Sequence, residues 1–110
     1  MTKQLSTAFF FTLHVGLQSD KPGFSVAGNR ERLFSILDER HSHGYTAIEG
    51  IGSFACRKEP CFIINVIYVG DGPGQEAAFD YIQETASIIK AALGQQEIWL
   101  TKRCEGLRVV

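Results

Sequence analysis

Residues Phe62 to Val69 read FIINVIYV, an apolar run broken only by Asn65. The run is long enough for one strand and too short to cross a bilayer. In an antiparallel sheet with helices on one side, strand positions on the other side normally turn polar. Here they do not, so both faces of this strand favour leaving water. The stretch Ala8 to Leu17, AFFFTLHVGL, behaves in the same way, because Phe9, Phe11, Leu13 and Val15 alternate with Phe10, Thr12, His14 and Gly16. Helices can cover only one of these two sets. The other set calls for a neighbouring sheet, and closed cyclic self-association is the usual solution. A dimer or a trimer satisfies it.

At 110 residues the chain reads as one domain, 1–110, able to bury a core without disulfides or metals. Eleven basic residues against 12 acidic ones leave a net charge of -1. That balance gives no field to steer the chain to duplex nucleic acid or to a membrane surface. The N-terminus MTKQLSTAFFFTL breaks at His14 and lacks a small-residue cleavage site, so it reads as a first strand and not an export signal. Cys56, Cys61 and Cys104 form an odd set, which fits free thiols in a reducing cytoplasm.

After the first strand, QSDKPGFSVAGN carries the composition of a loop. Leu33, Phe34 and Leu37 then recur at helical spacing from Arg30 to about His43, with Ser25 or Asn29 as N-cap and Gly44 as the stop. Thr46 to Arg57 and Pro60 to Val69 read as two strands joined by the connection RKEP, with Gly50 and Gly52 marking a bulge or a close backbone approach. GDGPG at 70–74 breaks the strand. The stripe Ala78, Tyr81, Ile82, Thr85, Ala86, Ile89, Ala92 and Leu93 marks a second helix ended by Gly94. A last strand spans Gln95 to Arg103, and the tail from Leu107 to Val110 offers a further edge. The order β-α-β-β-α-β predicts an α+β, ferredoxin-like fold: a four-stranded antiparallel sheet with two helices on one face.

No cluster spells out a reaction, and no catalytic residue, cofactor or metal is assigned. Gly70, Gly72 and Gly74 precede a helix and suit an anion, but no lysine follows and Asp71 repels one, so a plain turn is favoured. Cys56 and Cys61, with His41 and His43, have soft-metal chemistry. The spacing Cys-x4-Cys is loose, and histidines two apart cannot share a helical face. Arg57 and Lys58 at the expected hairpin tip, with Lys102, Arg103 and Arg108 near the C-terminus, could converge in an oligomer on phosphate or carboxylate groups. His14 is expected as a satisfied, partly buried imidazole and Glu49 as the best lone acid.

Two stretches, RERLFSILDERHSHGYTAIEGIGSF and IIKAALGQQEIWLTKR, resemble the PII-like superfamily of small trimeric α+β proteins, which includes the nitrogen-regulatory PII proteins and the CutA-type trimers. The second also resembles an uncharacterised bacterial domain family with a comparable GQ-E turn. The PII-like resemblance implies a homotrimer that binds small ligands, often nucleotides, in clefts between subunits. The hairpin loop and the turn before the last strand line those clefts, here Arg57 and Lys58, then Gly94, Gln95 and Gln96. The long loop with which PII contacts regulated enzymes is absent, and so is a CutA-type metal set.

Three functions stand open at this point. The favoured one is a homo-oligomeric protein, trimeric or else dimeric, holding a small anionic metabolite or nucleotide in intersubunit clefts. The second is a small dimeric α+β barrel enzyme using His14 or Glu49 for proton transfer. The third is a structural or interaction subunit without a ligand. Binding requires only placed basic and amide groups, whereas catalysis also requires a tuned acid or base.

Overall fold

A computed structural model describes residues 5–54, 57–70 and 72–110. Its elements run β1 (Ser6–Gly16), α1 (Val26–Arg40), β2 (Thr46–Phe54), β3 (Arg57–Val69), α2 (Gly72–Ala92) and β4 (Trp99–Leu107). The strands form one sheet in the order β2-β3-β1-β4, with every neighbouring pair antiparallel. This is the expected ferredoxin-like α+β arrangement.

Strand alternation decides what each face does. Phe11, Leu13 and Val15 of β1 and Phe62 and Ile64 of β3 point to the helices and are almost fully buried. They pack with Leu33 and Leu37 of α1, Ile82 and Ile89 of α2, and Leu93 just beyond it. Each such side chain contributes about 1.5–3 kcal/mol by leaving water. Phe10 pairs with Ile67, and His14 with Ile63, on the opposite face. No helix covers that face, and Ile48, Ile67 and Val69 stand 50–52% exposed on it. The two-faced apolar pattern therefore has one face packed and one uncovered.

Several boundaries differ from the expectation. Helix α1 begins at Val26, because Ser25 caps it: its Oγ accepts from the Gly28 N–H at 3.0 Å. Asn29 is instead buried inside the helix. RKEP is not the connection between β2 and β3, since Arg57 to Pro60 already pair with Phe54 to Ile51 inside the ladder. Residues 55 and 56, Cys56 among them, lie outside the described residues. No bulge interrupts the register at Gly50 or Gly52. The first turn of α2 takes in Gly72, Pro73 and Gly74, where proline's missing N–H costs nothing. Asp71 lies outside the described residues. Finally, β4 starts at Trp99 and runs to Leu107, so Leu107 to Val110 add no separate edge strand.

Pro60 sits in an interior strand, an unusual place for proline. Its carbonyl accepts from the Leu17 N–H at 3.1 Å just past the end of β1. Only its N–H is missing there, and the protein replaces it from elsewhere.

Candidate ligand-binding cleft

The replacement is Asn29. Its Nδ2 donates to the Leu17 carbonyl at 2.7 Å and to the Leu93 carbonyl at 3.0 Å, while its Oδ1 accepts from Arg32 Nη1 at 3.2 Å. One buried amide thus fixes the end of β1, the body of α1 and the end of α2 together. Two further bonds tighten the same junction. Ser19 Oγ donates to the Gly94 carbonyl at 2.7 Å, and Gln95 Nε2 donates to the Gln18 carbonyl at 2.9 Å. Gly94 has φ +62°, and a Cβ there would lie 2.8 Å from both the Phe24 ring and Ser19 Oγ. Glycine is required at this turn by conformation and by space.

This rigid junction forms the floor of a cleft of about 230 Å³ at one end of the sheet. Its walls are residues 18–21 after β1, Arg57 and Glu59 at the start of β3, and residues 94–97 after α2. Arg57 Nη2 lies 3.1 Å from Glu59 and 3.6 Å from Asp20. Lys21 and Glu97 complete the charged lining. Two cations face three carboxylates, so the cleft carries both signs and no excess of positive charge. Such a lining suits a ligand that is neutral or zwitterionic more than one bearing several negative charges.

Of the residues named from the sequence, Arg57, Gly94, Gln95 and Gln96 line this cleft together. The others lie elsewhere. Lys58 alternates to the opposite face of β3 from Arg57 and pairs with Ser53. Lys102 places its ammonium 5.0 Å from the centre of the Phe79 ring on the helix side. Arg103 lies on the uncovered face, bound to Glu105 at 2.7 Å and stacked over Phe10 at 4.9 Å. Arg108 follows the far end of β4, about 30 Å from Trp99 at the usual rise per strand residue. These five basic residues therefore do not converge as one patch within a subunit.

The two proton-transfer candidates are also separated. His14 is exposed on the uncovered face and not partly buried, because no helix reaches that side of β1. Glu49 accepts from Arg30 Nη1 at 2.7 Å and so ties β2 to α1. The histidine drawn inward is His41, whose Nε2 lies 3.0 Å from Thr85 Oγ1. Arg40 Nε donates to the same hydroxyl at 2.9 Å, and the Arg40 guanidinium stacks on Tyr81 at 4.3 Å. Burial, and then the Arg40 charge, hold the His41 imidazole below its ordinary pKa of 6.5. His41 thus faces Thr85 in the helix layer while Cys61 lies on β3 at the uncovered face, so the two do not meet as metal ligands.

Sequence reading missed the cleft residues Asp20, Lys21, Glu59 and Glu97. Their only sequence signal was position at strand ends, which becomes informative once the register is known.

Two solved chains share the complete architecture. A phage SAM lyase in its apo state superposes with a TM-score of 0.62 over 99% of this chain and 95% of that chain, at 13% sequence identity. A phage SAM lyase in complex with S-methyl-5′-thioadenosine superposes with a TM-score of 0.61 over the same shares, at 14% identity. A hydantoinase/carbamoylase family amidase from Burkholderia ambifaria aligns over 92% of this chain and 28% of that chain, with a TM-score of 0.45 and 12% identity. No protein-family model and no curated protein matches the chain. The likeness to the two phage SAM lyase structures establishes a common fold. No helix among the described residues is long and apolar enough to cross a membrane.

Proposed function

We propose that the protein is a homo-oligomer, a trimer, that binds a small nucleoside-class metabolite in the cleft at the end of its sheet, with neighbouring subunits meeting through the uncovered sheet face. The observation that carries this reading is the cleft itself. A buried amide and two side-chain bonds hold its floor rigid, and it opens beside an apolar face that a single chain leaves in water. Rigid, convergent polar groups beside apolar surface are the usual makings of a small-molecule site. The PII-like resemblance supports an intersubunit cleft. A fold neighbour bound to S-methyl-5′-thioadenosine supports the nucleoside class.

The mixed charge of the lining narrows the earlier expectation of an anionic ligand. A nucleoside with an α-amino-acid tail fits it better than a polyphosphate, with Arg57 and Lys21 near the carboxylate and Asp20 or Glu97 near the ammonium. Calorimetric titration with S-methyl-5′-thioadenosine, S-adenosylmethionine and ATP tests this. The expected order is S-adenosylmethionine tightest and ATP weakest, with Arg57→Ala reducing the first about tenfold by loss of a charged hydrogen bond. Tightest binding of ATP, or equal affinity in Arg57→Ala, removes the cleft from the account.

A second reading is a lyase. It is favoured by Glu59, a cleft carboxylate whose side chain is only 20% exposed and is held by Arg57, and by the fold neighbours being phage SAM lyases. Incubation with S-adenosylmethionine and mass analysis of the nucleoside products separates binding from turnover. Glu59→Gln should abolish any turnover on this reading.

A further inference from the structure

A larger cavity, about 390 Å³, opens on the uncovered sheet face and runs up to the cleft. Its defining wall is Trp99, the only tryptophan in the chain, 66% exposed at the start of edge strand β4. The indole is nevertheless held, because its Nε1 donates to Glu97 Oε1 at 3.1 Å. His14 lies beside Trp99 in the pairing register, and Cys61 and Gly16 form the next row. A large aromatic surface in water that is fixed in place by a hydrogen bond suits stacking of a planar ring.

The cavity exists because Gly16 and Gly52 place no side chains beside Cys61. The fold does not demand glycine at Gly52. It has no positive φ, and a Cβ there would meet nothing closer than Cys61 Sγ at 3.8 Å. Glycine inside a strand costs stability relative to residues with side chains. This position therefore keeps open a space that packing does not require.

The cavity and the cleft adjoin. Glu59 and Glu97 line both. Gln95 Oε1 sits 3.2 Å from where a Gly16 Cβ would lie, so the cleft amide reaches over the end of β1 to the cavity's edge. A molecule with its ring in the cavity would pass Gly16 and Gln95 and end among the charged groups around Arg57.

We propose that this cavity is the heterocycle subsite of the same ligand, with the base stacked on Trp99 and the polar remainder in the cleft. The inference rests on the nucleoside reading above. It adds that affinity depends on a planar base and on space left by Gly16 and Gly52.

Adenosine, with ribose as the ringless control, tests it through Trp99 emission and calorimetry in parallel on the full chain. Adenosine should quench the emission with the same midpoint that calorimetry reports, and ribose should not. Trp99→Ala should weaken adenosine about tenfold, the usual cost of losing one base–aromatic stack, while Trp99→Phe restores most of it. Gly52→Val should keep the wild-type melting temperature and subunit count yet block adenosine. Calorimetric binding without quenching, together with unchanged affinity in Trp99→Ala, overturns the subsite and leaves the nucleoside reading standing. No binding of adenosine or of the nucleosides named above to the wild type overturns both. A changed subunit count in Trp99→Ala with unchanged affinity assigns the indole to the subunit contact and overturns the subsite.

Discussion

Asn29 stands in for a hydrogen that Pro60 lacks: its Nδ2 donates at 2.7 Å to the carbonyl of Leu17, whose own N–H is bound to the Pro60 carbonyl at 3.1 Å. The same amide reaches Leu93 at 3.0 Å. Removing it leaves the Leu17 carbonyl without its side-chain donor and the Leu93 carbonyl with only the longer bond from Gln95 Nε2 at 3.4 Å, at about 1–3 kcal/mol for each lost partner. Asn29→Ala should therefore lose about 2–4 kcal/mol in urea unfolding, and Asn29→Asp at least as much, since a carboxylate cannot donate. A loss within a few tenths of a kcal/mol would show that the junction is held by other means.

Gly94 marks the same junction from the other side. Gly94→Ala forces a Cβ against Phe24 and Ser19 at a backbone conformation that L-residues seldom adopt. The expected cost is about 1–3 kcal/mol. Ligand affinity should fall as well, because Ser19 and Gln95 lose their bonds across the cleft floor. Wild-type stability and affinity together would contradict the tight packing described there.

The two faces of β3 give a paired test. Ile64 is fully buried, whereas Ile67 is 51% exposed on the uncovered face. Ile64→Asp should unfold the chain, because an unpaired carboxylate would enter the core. Ile67→Asp should keep native circular dichroism but dissociate the oligomer. A folded Ile64→Asp protein, or an Ile67→Asp oligomer of unchanged mass, would overturn the assignment of faces.

Acid sensitivity should trace to His41. It faces Arg40, Thr85 and Tyr81, and folding holds its pKa below 6.5, by burial first and the Arg40 charge second. The unfolded chain therefore binds this proton at higher pH than the folded one. Stability is complete above pH 6.5 and declines as pH falls from there through the folded-state value. Urea midpoints should drop between pH 7.5 and 5.5 in wild type, and less so in His41→Gln. An equal drop in both proteins would assign the effect to other groups.

The fold was legible because apolar periodicity was strong: the run 62–69, the stripe from Ala78 to Leu93, and the stop at Gly94 all lie where packing demands them. Boundaries were less legible where a side chain served tertiary structure. Ser25 and Asn29 both suit an N-cap, and only the missing N–H of Pro60 explains why Asn29 is buried. RKEP looked like a turn by composition, yet Pro60 needs only its carbonyl and the strand continues through it. Four of the ten cleft residues were visible in Arg57 and the Gly94–Gln96 turn. Glu59 reaches it through strand register, Asp20 and Glu97 through the segments after β1 and before β4, and the charge balance of the site could not be read without them.

Native mass spectrometry of freshly purified protein tests the central claim, since it reports subunit count and retained ligand together. The expected species is three copies of the 12.2 kDa chain with added mass in the nucleoside range, collapsing to one copy in Ile67→Asp. A ligand-free monomer or dimer at micromolar concentration would contradict the account.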